Sequence, residues 1–287
     1  MTHKTFPIVV QNVDRNVAKA EYDYILKPDE LLVTSIFDTL QGEGPYAGMP
    51  AVFIRLSGCN YGAKSEAGAC RFCDTSFQFN EGKVMSFDKI DSIIDTFRVD
   101  RRKRVLVITG GEPTLQHNLA AFLERVGDEY LAVQIETNGT QASFFELLDA
   151  EMPLFKKGDA ESFWLSEITV VVSPKAVYKA GKYGKLSEKV LNRADYLKFV
   201  VDADPESPHH TIPDWAFAWA EEHGMQRLMV SPMAVYKKPY AGEVSSIWDD
   251  ELINREATAA NYRYAGEYAL ANNICLSLQQ HLFVAMA

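Results

Sequence analysis

Cysteine is scarce in this sequence, long apolar stretches are missing, and positive charge does not dominate. Only four cysteines occur among 287 residues. No uninterrupted apolar run reaches the ~18–20 residues that a membrane-spanning helix needs, and the amino terminus lacks the charged and apolar regions of a signal peptide. Acidic residues outnumber basic ones by 39 to 29, and a net charge of −10 repels phosphate backbones. We therefore expect a cytoplasmic protein that binds neither a membrane nor nucleic acid.

The one dense basic cluster covers residues 101–104 and directly precedes an apolar run. Runs of like charge at such positions are usually solvated. We interpret this cluster as a solvated turn and not as a binding patch for nucleic acid.

Three of the four cysteines lie close together in the sequence. Ten residues separate Cys59 from Cys70 and two separate Cys70 from Cys73, while Cys275 lies alone in an apolar run and is expected to be a buried thiol. Because disulfides are rare in a reducing compartment, the clustered thiols indicate a metal. Their spacing alone fits zinc and an iron–sulfur cluster equally well. A closed zinc site usually takes four protein ligands, whereas three thiolates on an iron–sulfur cubane leave one iron open.

From residue 51 onward, short apolar runs alternate with amphipathic segments. Strands separated by helices imply βα units and a parallel sheet, and the length suits a single α/β barrel-type domain. The last short helix begins with Pro213, a residue suited to the first helical turn. We predict strands at residues 51–56, 105–108, 131–135, 168–172, 196–201 and 227–230, and helices at residues 87–97, 115–126, 143–150, 213–223 and 250–272.

Polar and glycine-rich motifs directly follow five of these strands. In parallel α/β folds the loops at the carboxyl ends of strands converge on one face, where ligands bind. We therefore expect the five motifs to form one site. They are Ser57-Gly58-Cys59, Thr109-Gly110-Gly111-Glu112-Pro113, Glu136-Thr137-Asn138-Gly139, Ser173-Pro174-Lys175 and Ser231-Pro232-Met233.

These motifs, with residues 40–44, 51–60, 70–75 and 276–281, stand in the order found in one enzyme family. Together they resemble the 7-carboxy-7-deazaguanine synthases, a family of the radical S-adenosylmethionine superfamily. The resemblance runs from about Leu32 to the carboxyl terminus. Gly-Gly-Glu-Pro alone would indicate only the superfamily. The sequence departs from the superfamily in its first cysteine gap, which is longer than the usual three residues, and some members of the family are similar in this respect.

The resemblance implies a partial TIM-type βα barrel of about six parallel strands in residues 31–287, preceded by an extension of residues 1–30. Residues 152–167 and 235–248 resemble insertions relative to shorter relatives. The family also implies a homodimer and a flavodoxin or ferredoxin as electron donor. Its members act as carbon–nitrogen lyases in 7-deazapurine (queuosine-type) biosynthesis.

The resemblance implies three cofactors: a [4Fe–4S] cluster on Cys59, Cys70 and Cys73, S-adenosylmethionine on its open iron, and Mg²⁺ on Thr75. The alternative for Thr75 is a helix cap after Asp74. We interpret Glu112 as an acceptor for the ammonium group of S-adenosylmethionine, and the alternative is a solvated acid at a helix start. The S-adenosylmethionine contacts carried over are Phe72, Asp74, Gly111, Glu112, Ser173, Pro174, Lys175, Ser231, Pro232, Met233 and Ala234.

The implied substrate is 6-carboxy-5,6,7,8-tetrahydropterin, which contracts to 7-carboxy-7-deazaguanine with loss of ammonia. Arg55 is the candidate partner of its carboxylate, because a guanidinium can bind a carboxylate through two parallel hydrogen bonds. Glu43 and Glu136 are candidate acceptors for the pterin N–H groups. The substrate contacts carried over are Leu40, Gln41, Gly42, Glu43, Arg55, Thr109, Glu136, His281 and Ala287.

Two other interpretations remain open from the sequence. One is another radical enzyme of the superfamily, such as a glycyl-radical activase, which would lack a pterin pocket. The other is a zinc-stabilised binding module without enzymatic activity.

Overall fold

A computed structural model describes residues 6–7, 26–61, 73, 82–151, 168–177, 182–237 and 246–284. Within these ranges, no helix has both the length and the apolar character needed to cross a membrane. The insertion predicted at residues 152–167 lies outside them, as do most of the extension at residues 1–30 and the middle of the segment 235–248. Five predicted site residues also lie outside the described ranges: Cys70, Phe72, Asp74, Thr75 and Ala287.

Ten of the strands in the described residues form one sheet, in the order β1-β2-β3-β5-β6-β7-β10-β11-β12, and β4 pairs with β2. The strands from β3 to β12 along this order run parallel, whereas β1, β2 and β4 are antiparallel to their neighbours. The bounds are β1 Phe6–Pro7, β2 Glu30–Leu40, β3 Pro50–Leu56, β4 Lys83–Ser86, β5 Val105–Gly110, β6 Ala132–Thr137, β7 Ile168–Val172, β8 Ala176–Val177, β9 Lys182–Tyr183, β10 Tyr196–Val201, β11 Leu228–Pro232 and β12 Cys275–Leu276.

The architecture is a mixed α/β fold with a largely parallel, open sheet, as expected for a partial TIM-type barrel. All six predicted strands are confirmed, with ends that differ by at most two residues. Strand β1 pairs with Ile36 and Ser35 of β2, so part of the predicted extension joins the sheet. The division of the chain at residue 30 remains a prediction.

Of the seven helices in the described residues, the first six pack on the outer face of the sheet, whereas Leu282 of the seventh packs in a separate small cluster. Their bounds are α1 Phe87–Asp95, α2 Leu119–Val126, α3 Ala142–Glu151, α4 Glu188–Arg193, α5 Asp214–His223, α6 Arg255–Asn272 and α7 Gln280–Phe283. All five predicted helices are present, and α4 and α7 are additional.

Three helices begin later than predicted. A 3-10 turn at Pro113–Leu115 precedes α2, which begins only at Leu119. Pro213 lies just before α5 in an extended conformation and is not its first helical residue. Helix α6 begins after Asn254, whose side chain accepts a hydrogen bond from Ala257 N at 3.2 Å. Such a capping residue satisfies a backbone donor that has no partner within the helix.

Alternating residues of the parallel strands face two different environments. In β5, Leu106 and Ile108 pack into the main hydrophobic core between sheet and helices. Val105 and Val107 face the barrel interior, where they pack with Phe37 and Phe53. The interior is therefore apolar near the beginnings of the strands.

Strand β2 leads the chain to the end of the barrel where the parallel strands begin, because Leu40 pairs with Pro50, the first residue of β3. The following residues, 41–49, cross this end of the barrel, and we call them the floor segment. Tyr46 Oη lies 2.9 Å from Thr169 Oγ1, at the beginning of β7. Gly44 N donates to Ser277 Oγ at 3.1 Å, so the floor segment is also attached to the last part of the described chain.

One expectation from the sequence is confirmed in part and another is wrong. Residues 101–104 form a turn in which Arg102 and Lys103 are exposed, but Arg101 is only 16% exposed and pairs with Asp91, Asp95 and Glu129. Cys275 is half-buried and not a core thiol, because β12 lies at the edge of the sheet. Its Sγ lies 3.4 Å from Gln226 O.

Candidate active site

A cavity of about 210 Å³ lies inside the barrel, between the floor segment and the loops that follow the parallel strands. It is lined by residues from seven strands of the sheet and the loops after them. The predicted site residues on its wall are Leu40, Gln41, Glu43, Arg55, Cys59, Cys73, Thr109, Gly111, Glu136, Ser173, Lys175, Ser231, Pro232, Met233, Ala234 and His281. The sequence motifs therefore converge on one site, as their placement at strand ends predicts.

Two of the three clustered cysteines, Cys59 and Cys73, face this cavity. The loop that carries Cys59 is fixed to the loop after β5, because Gly111 N donates to Leu56 O at 3.0 Å and Glu112 N to Gly58 O at 2.7 Å. A Cβ on Gly111 would lie 1.9 Å from Gly58 O, so only glycine permits this approach. Two soft thiol ligands at one cavity fit an iron–sulfur group.

A second set of hydrogen bonds joins the cysteine loop to the loop after β6. Asn138 Nδ2 donates to Asn60 Oδ1 at 2.9 Å, and Asn60 Nδ2 donates to Thr140 Oγ1 at 2.7 Å. Asn138 also lines the cavity. The position of Cys59 is thus set by contacts with two neighbouring loops.

Glu112 is fully buried behind the cavity wall. Its carboxylate accepts hydrogen bonds from Thr114 N at 3.1 Å, Thr114 Oγ1 at 2.5 Å, Thr137 Oγ1 at 2.6 Å and Asn138 N at 2.6 Å. Burial raises the pKa of Glu112, and these hydrogen bonds oppose the shift. The interpretation as a solvated acid is wrong. The carboxylate instead joins the loops after β5 and β6, and its role as an ammonium acceptor remains a prediction.

Glu136 is the centre of a polar network on the cavity wall. One carboxylate oxygen accepts from Gln41 Nε2 at 3.2 Å and from Gln134 Nε2 at 2.9 Å, and the other accepts from Thr109 Oγ1 at 3.1 Å. Three of the predicted substrate contacts are therefore connected to one another. The floor segment joins the network through Gln41.

Arg55 lies on an aromatic stack inside the barrel. Its guanidinium carbon is 4.6 Å from the centroid of the Phe37 ring. The Phe37 and Phe53 rings stack at 5.1 Å with an interplanar angle of 16°. A cation above an aromatic face is attracted by the ring quadrupole, and planar stacking restricts the guanidinium. The stack therefore orients Arg55 inside the cavity.

Glu43 faces two side chains from the opposite wall. Lys198 Nζ lies 2.7 Å from Glu43 Oε2, and Ser231 Oγ donates to Oε1 at 3.2 Å. Ser231, which the sequence assigns to S-adenosylmethionine, thus also contacts the floor segment.

Gly42 and Pro174 do not line the cavity. Gly42 lies against the imidazole of His281, since a Cβ there would be 1.9 Å from Nδ1. Pro174 is buried between Ser173 and Lys175, whose Nζ donates to Ser173 Oγ at 2.8 Å.

Residues 54–162 match the family model described as Radical SAM superfamily. A 7-carboxy-7-deazaguanine synthase from Rickettsia prowazekii (strain Madrid E) is 30% identical over 261 residues, which are 90% of this chain and 89% of the relative. The chain belongs to this family. A 7-carboxy-7-deazaguanine synthase from Aquifex aeolicus (strain VF5) is 36% identical over 183 residues, 63% of this chain and 69% of that protein.

The crystal structure of QueE from Escherichia coli covers 94% of this chain and 100% of its own, with a TM-score of 0.53 and 21% identity. At 21% sequence identity, the likeness to this structure supports the fold alone. The family resemblance seen in the sequence motifs is confirmed, and membership in a radical S-adenosylmethionine family implies a [4Fe–4S] cluster and S-adenosylmethionine as cofactors.

Several residues of the cavity wall were not among the predicted contacts, although Phe53, Gly110, Thr137 and Asn138 lie within the motifs of this 7-carboxy-7-deazaguanine synthase family. Lys198 had a signal in the sequence, since it is a charged residue in the middle of an otherwise apolar strand. Phe37 and Phe53 had none, because aromatic residues in strands are usually core residues. Those missed are Phe37, Thr39, Phe53, Tyr61, Gly110, Thr137, Asn138, Val171, Lys198, Val200, Tyr236 and Gln279.

Proposed function

We propose that this chain converts 6-carboxy-5,6,7,8-tetrahydropterin into 7-carboxy-7-deazaguanine with loss of ammonia, as a carbon–nitrogen lyase. The proposal is carried by one observation: Arg55, Glu43 and Glu136 face the same cavity as Cys59 and Cys73. The cavity thus combines a guanidinium that can bind a substrate carboxylate, two carboxylates that can accept from substrate N–H groups, and two cysteines that can bind a cluster.

Cys59 and Cys73, together with Cys70, would hold the cluster. When bound, the cluster, reduced by one electron from an external donor, and S-adenosylmethionine would supply the radical chemistry that removes a hydrogen atom from the substrate. The protein residues bind and orient the reactants and exclude water. Gly111 permits the cysteine loop to lie against the loop after β5, and Ser173, Lys175, Pro232, Met233 and Ala234 form the adjoining wall.

In this proposal, Arg55 binds the substrate carboxylate. Its guanidinium is held flat on Phe37, and a planar fork matches a carboxylate through two parallel hydrogen bonds. Glu136 accepts a pterin N–H group while Gln41 and Thr109 hold the carboxylate in place. The apolar cluster around Phe53 limits water beneath the substrate.

We further propose that Thr75 is a ligand of Mg²⁺, which prefers hard oxygen ligands and keeps several waters. A flavodoxin or ferredoxin would supply electrons, and the protein would act as a homodimer in the cytoplasm. These four statements rest on the family.

The test is turnover by the anaerobically reconstituted and reduced protein with S-adenosylmethionine, Mg²⁺ and the carboxytetrahydropterin. We expect a product with the ultraviolet spectrum and mass of 7-carboxy-7-deazaguanine. Cys59→Ser is the matched control and should lose both cluster and product. Cleavage of S-adenosylmethionine without consumption of the pterin would contradict the proposed substrate, and a colourless protein with one zinc per chain would contradict the enzyme class.

A further inference from the structure

The ion pair between Glu43 and Lys198 crosses the barrel interior. The Glu43 side chain is 15% exposed and that of Lys198 is 8% exposed. Glu43 belongs to the floor segment and Lys198 to β10, while Ser231 on the adjacent β11 donates to the other oxygen of Glu43. Both oxygens of Glu43 therefore face groups that come from two neighbouring parallel strands.

The position of Lys198 in its strand is not explained by packing. Its neighbours Leu197 and Phe199 belong to the hydrophobic core outside the barrel, whereas Lys198 and Val200 line the cavity. Burying an ammonium group is costly unless it is paired, and a buried ion pair often contributes no more stability than apolar residues of similar volume. Stability alone thus gives a weak reason for a lysine at this position.

We propose that Lys198 is a positioning residue for substrate recognition, whose ammonium group holds Glu43 as an oriented acceptor for N–H donors of the pterin edge. This inference rests on the proposed function and adds that Lys198 makes Glu43 selective for a ligand with N–H donors. An ionised carboxylate only accepts hydrogen bonds, at about four lone-pair sites. Lys198 and Ser231 occupy two of them, so Glu43 keeps acceptor capacity for a ligand in the cavity that it lines.

Selectivity follows from the nature of this acceptor. A pterin presents an amino group and ring N–H groups, whereas the corresponding lumazine carries a carbonyl in place of the amino group. A site built to hydrogen-bond a substrate donor rejects an analogue that lacks it, because buried polar groups are then left without partners. A correctly held Glu43 should therefore favour the pterin over the lumazine.

The experiment compares the reconstituted wild-type enzyme with Lys198→Met and Lys198→Arg. For each protein, kcat and KM are measured with 6-carboxytetrahydropterin, and the inhibition constant is measured for 6-carboxytetrahydrolumazine. We define the preference for the pterin as the inhibition constant of the lumazine divided by the KM of the pterin. We expect Lys198→Met to lower kcat/KM by at least about tenfold, mainly by raising KM, and to reduce this preference by a similar factor. Lys198→Arg should restore part of the preference, because it keeps the charge.

Lys103→Met is the control, since Lys103 is an exposed lysine that pairs with Asp100 and does not line the cavity. It should leave the preference for the pterin over the lumazine unchanged. If Lys198→Met is unstable, the double variant Glu43→Gln/Lys198→Met avoids an uncompensated buried charge. Its preference should equal that of Glu43→Gln alone, because residues that act through one another are not additive.

Three results would overturn the inference. The first is an unchanged preference in Lys198→Met at full iron content. The second is an equal loss of affinity for both ligands, which would assign Lys198 to the structure alone. The third is additive effects in the double variant. Failure of the proposed function is distinguishable, because the wild type itself would then not consume the pterin.

Discussion

Replacing Gly111 by alanine should displace the loop that carries Cys59. The added Cβ would lie 1.9 Å from Gly58 O and 2.9 Å from Cys59 Cβ. Since carbon–oxygen contacts are normally no shorter than about 3.3 Å, Gly58 must retreat by more than about 1 Å. The hydrogen bonds from Gly111 N to Leu56 O and from Glu112 N to Gly58 O oppose this movement. Overpacking of this kind costs about 1–3 kcal/mol.

The displacement is large for a metal ligand, because ligand distances in metal sites vary by only about 0.2 Å. We therefore expect Gly111→Ala to take up less than half of the wild-type iron after anaerobic reconstitution. The assay measures iron and sulfide per chain together with the visible absorption of the cluster. Denaturant unfolding of the cluster-free protein measures the loss of stability separately.

Gly184→Ala is the control, because a Cβ on Gly184 meets no atom within 4 Å. It should keep both the iron content and the unfolding free energy of the wild type. Equal iron content in Gly111→Ala and the wild type would refute the argument that this glycine determines the position of the cysteine loop.

Three further predictions concern stability. Gly266→Ala in α6 should raise the unfolding free energy by about 0.5–1 kcal/mol, since alanine favours helix and a Cβ there meets no atom within 4 Å; no gain would contradict this. Arg101→Met should lower the unfolding free energy by about 1–3 kcal/mol, because it removes hydrogen bonds to Asp91 and Glu129. Lys103→Met, which removes only an exposed ion pair with Asp100, should have a smaller effect in the same denaturant assay. Burial lowers the pKa of His209 to about 4, so the unfolded state binds a proton before the folded state does, and the unfolding free energy falls as pH decreases from about 6.5 toward 4. The unfolding free energy of His209→Gln should decrease less than that of the wild type between about pH 7 and about pH 5. An identical decrease in both proteins would reject this cause.

The central strands could be predicted because they are buried on both faces. Strands β7 and β10 match the predicted bounds, since continuous β-branched and apolar residues distinguish them from the amphipathic helices. Strand β2 was not predicted, although it is the longest in the described residues. It pairs with β3 across the floor segment and not through a short hairpin turn, so the sequence has no local signal for the pairing.

The motifs predicted which residues meet at the cavity, but not how they contact one another. In a strand buried on both faces, alternation does not reveal which residues point inward. Phe37 therefore needed the sheet register to place it on the cavity wall, whereas Lys198 had a signal as the one charged residue of its strand. The burial of Glu112 also depends on the loop after β6, whose approach cannot be deduced from the Gly-Gly-Glu-Pro motif itself.

The attachment of the floor segment to residues near the end of the chain has a consequence for biosynthesis. Gly44 bonds Ser277, 233 positions later, and Gln280 N donates to Gly42 O at 3.1 Å. During translation the early strands can pair as they leave the ribosome, but one end of the barrel stays open until α7 has been made. The cavity floor therefore gains these two contacts only after residues 277–280 have been synthesised, more than 230 positions after Gly42 and Gly44.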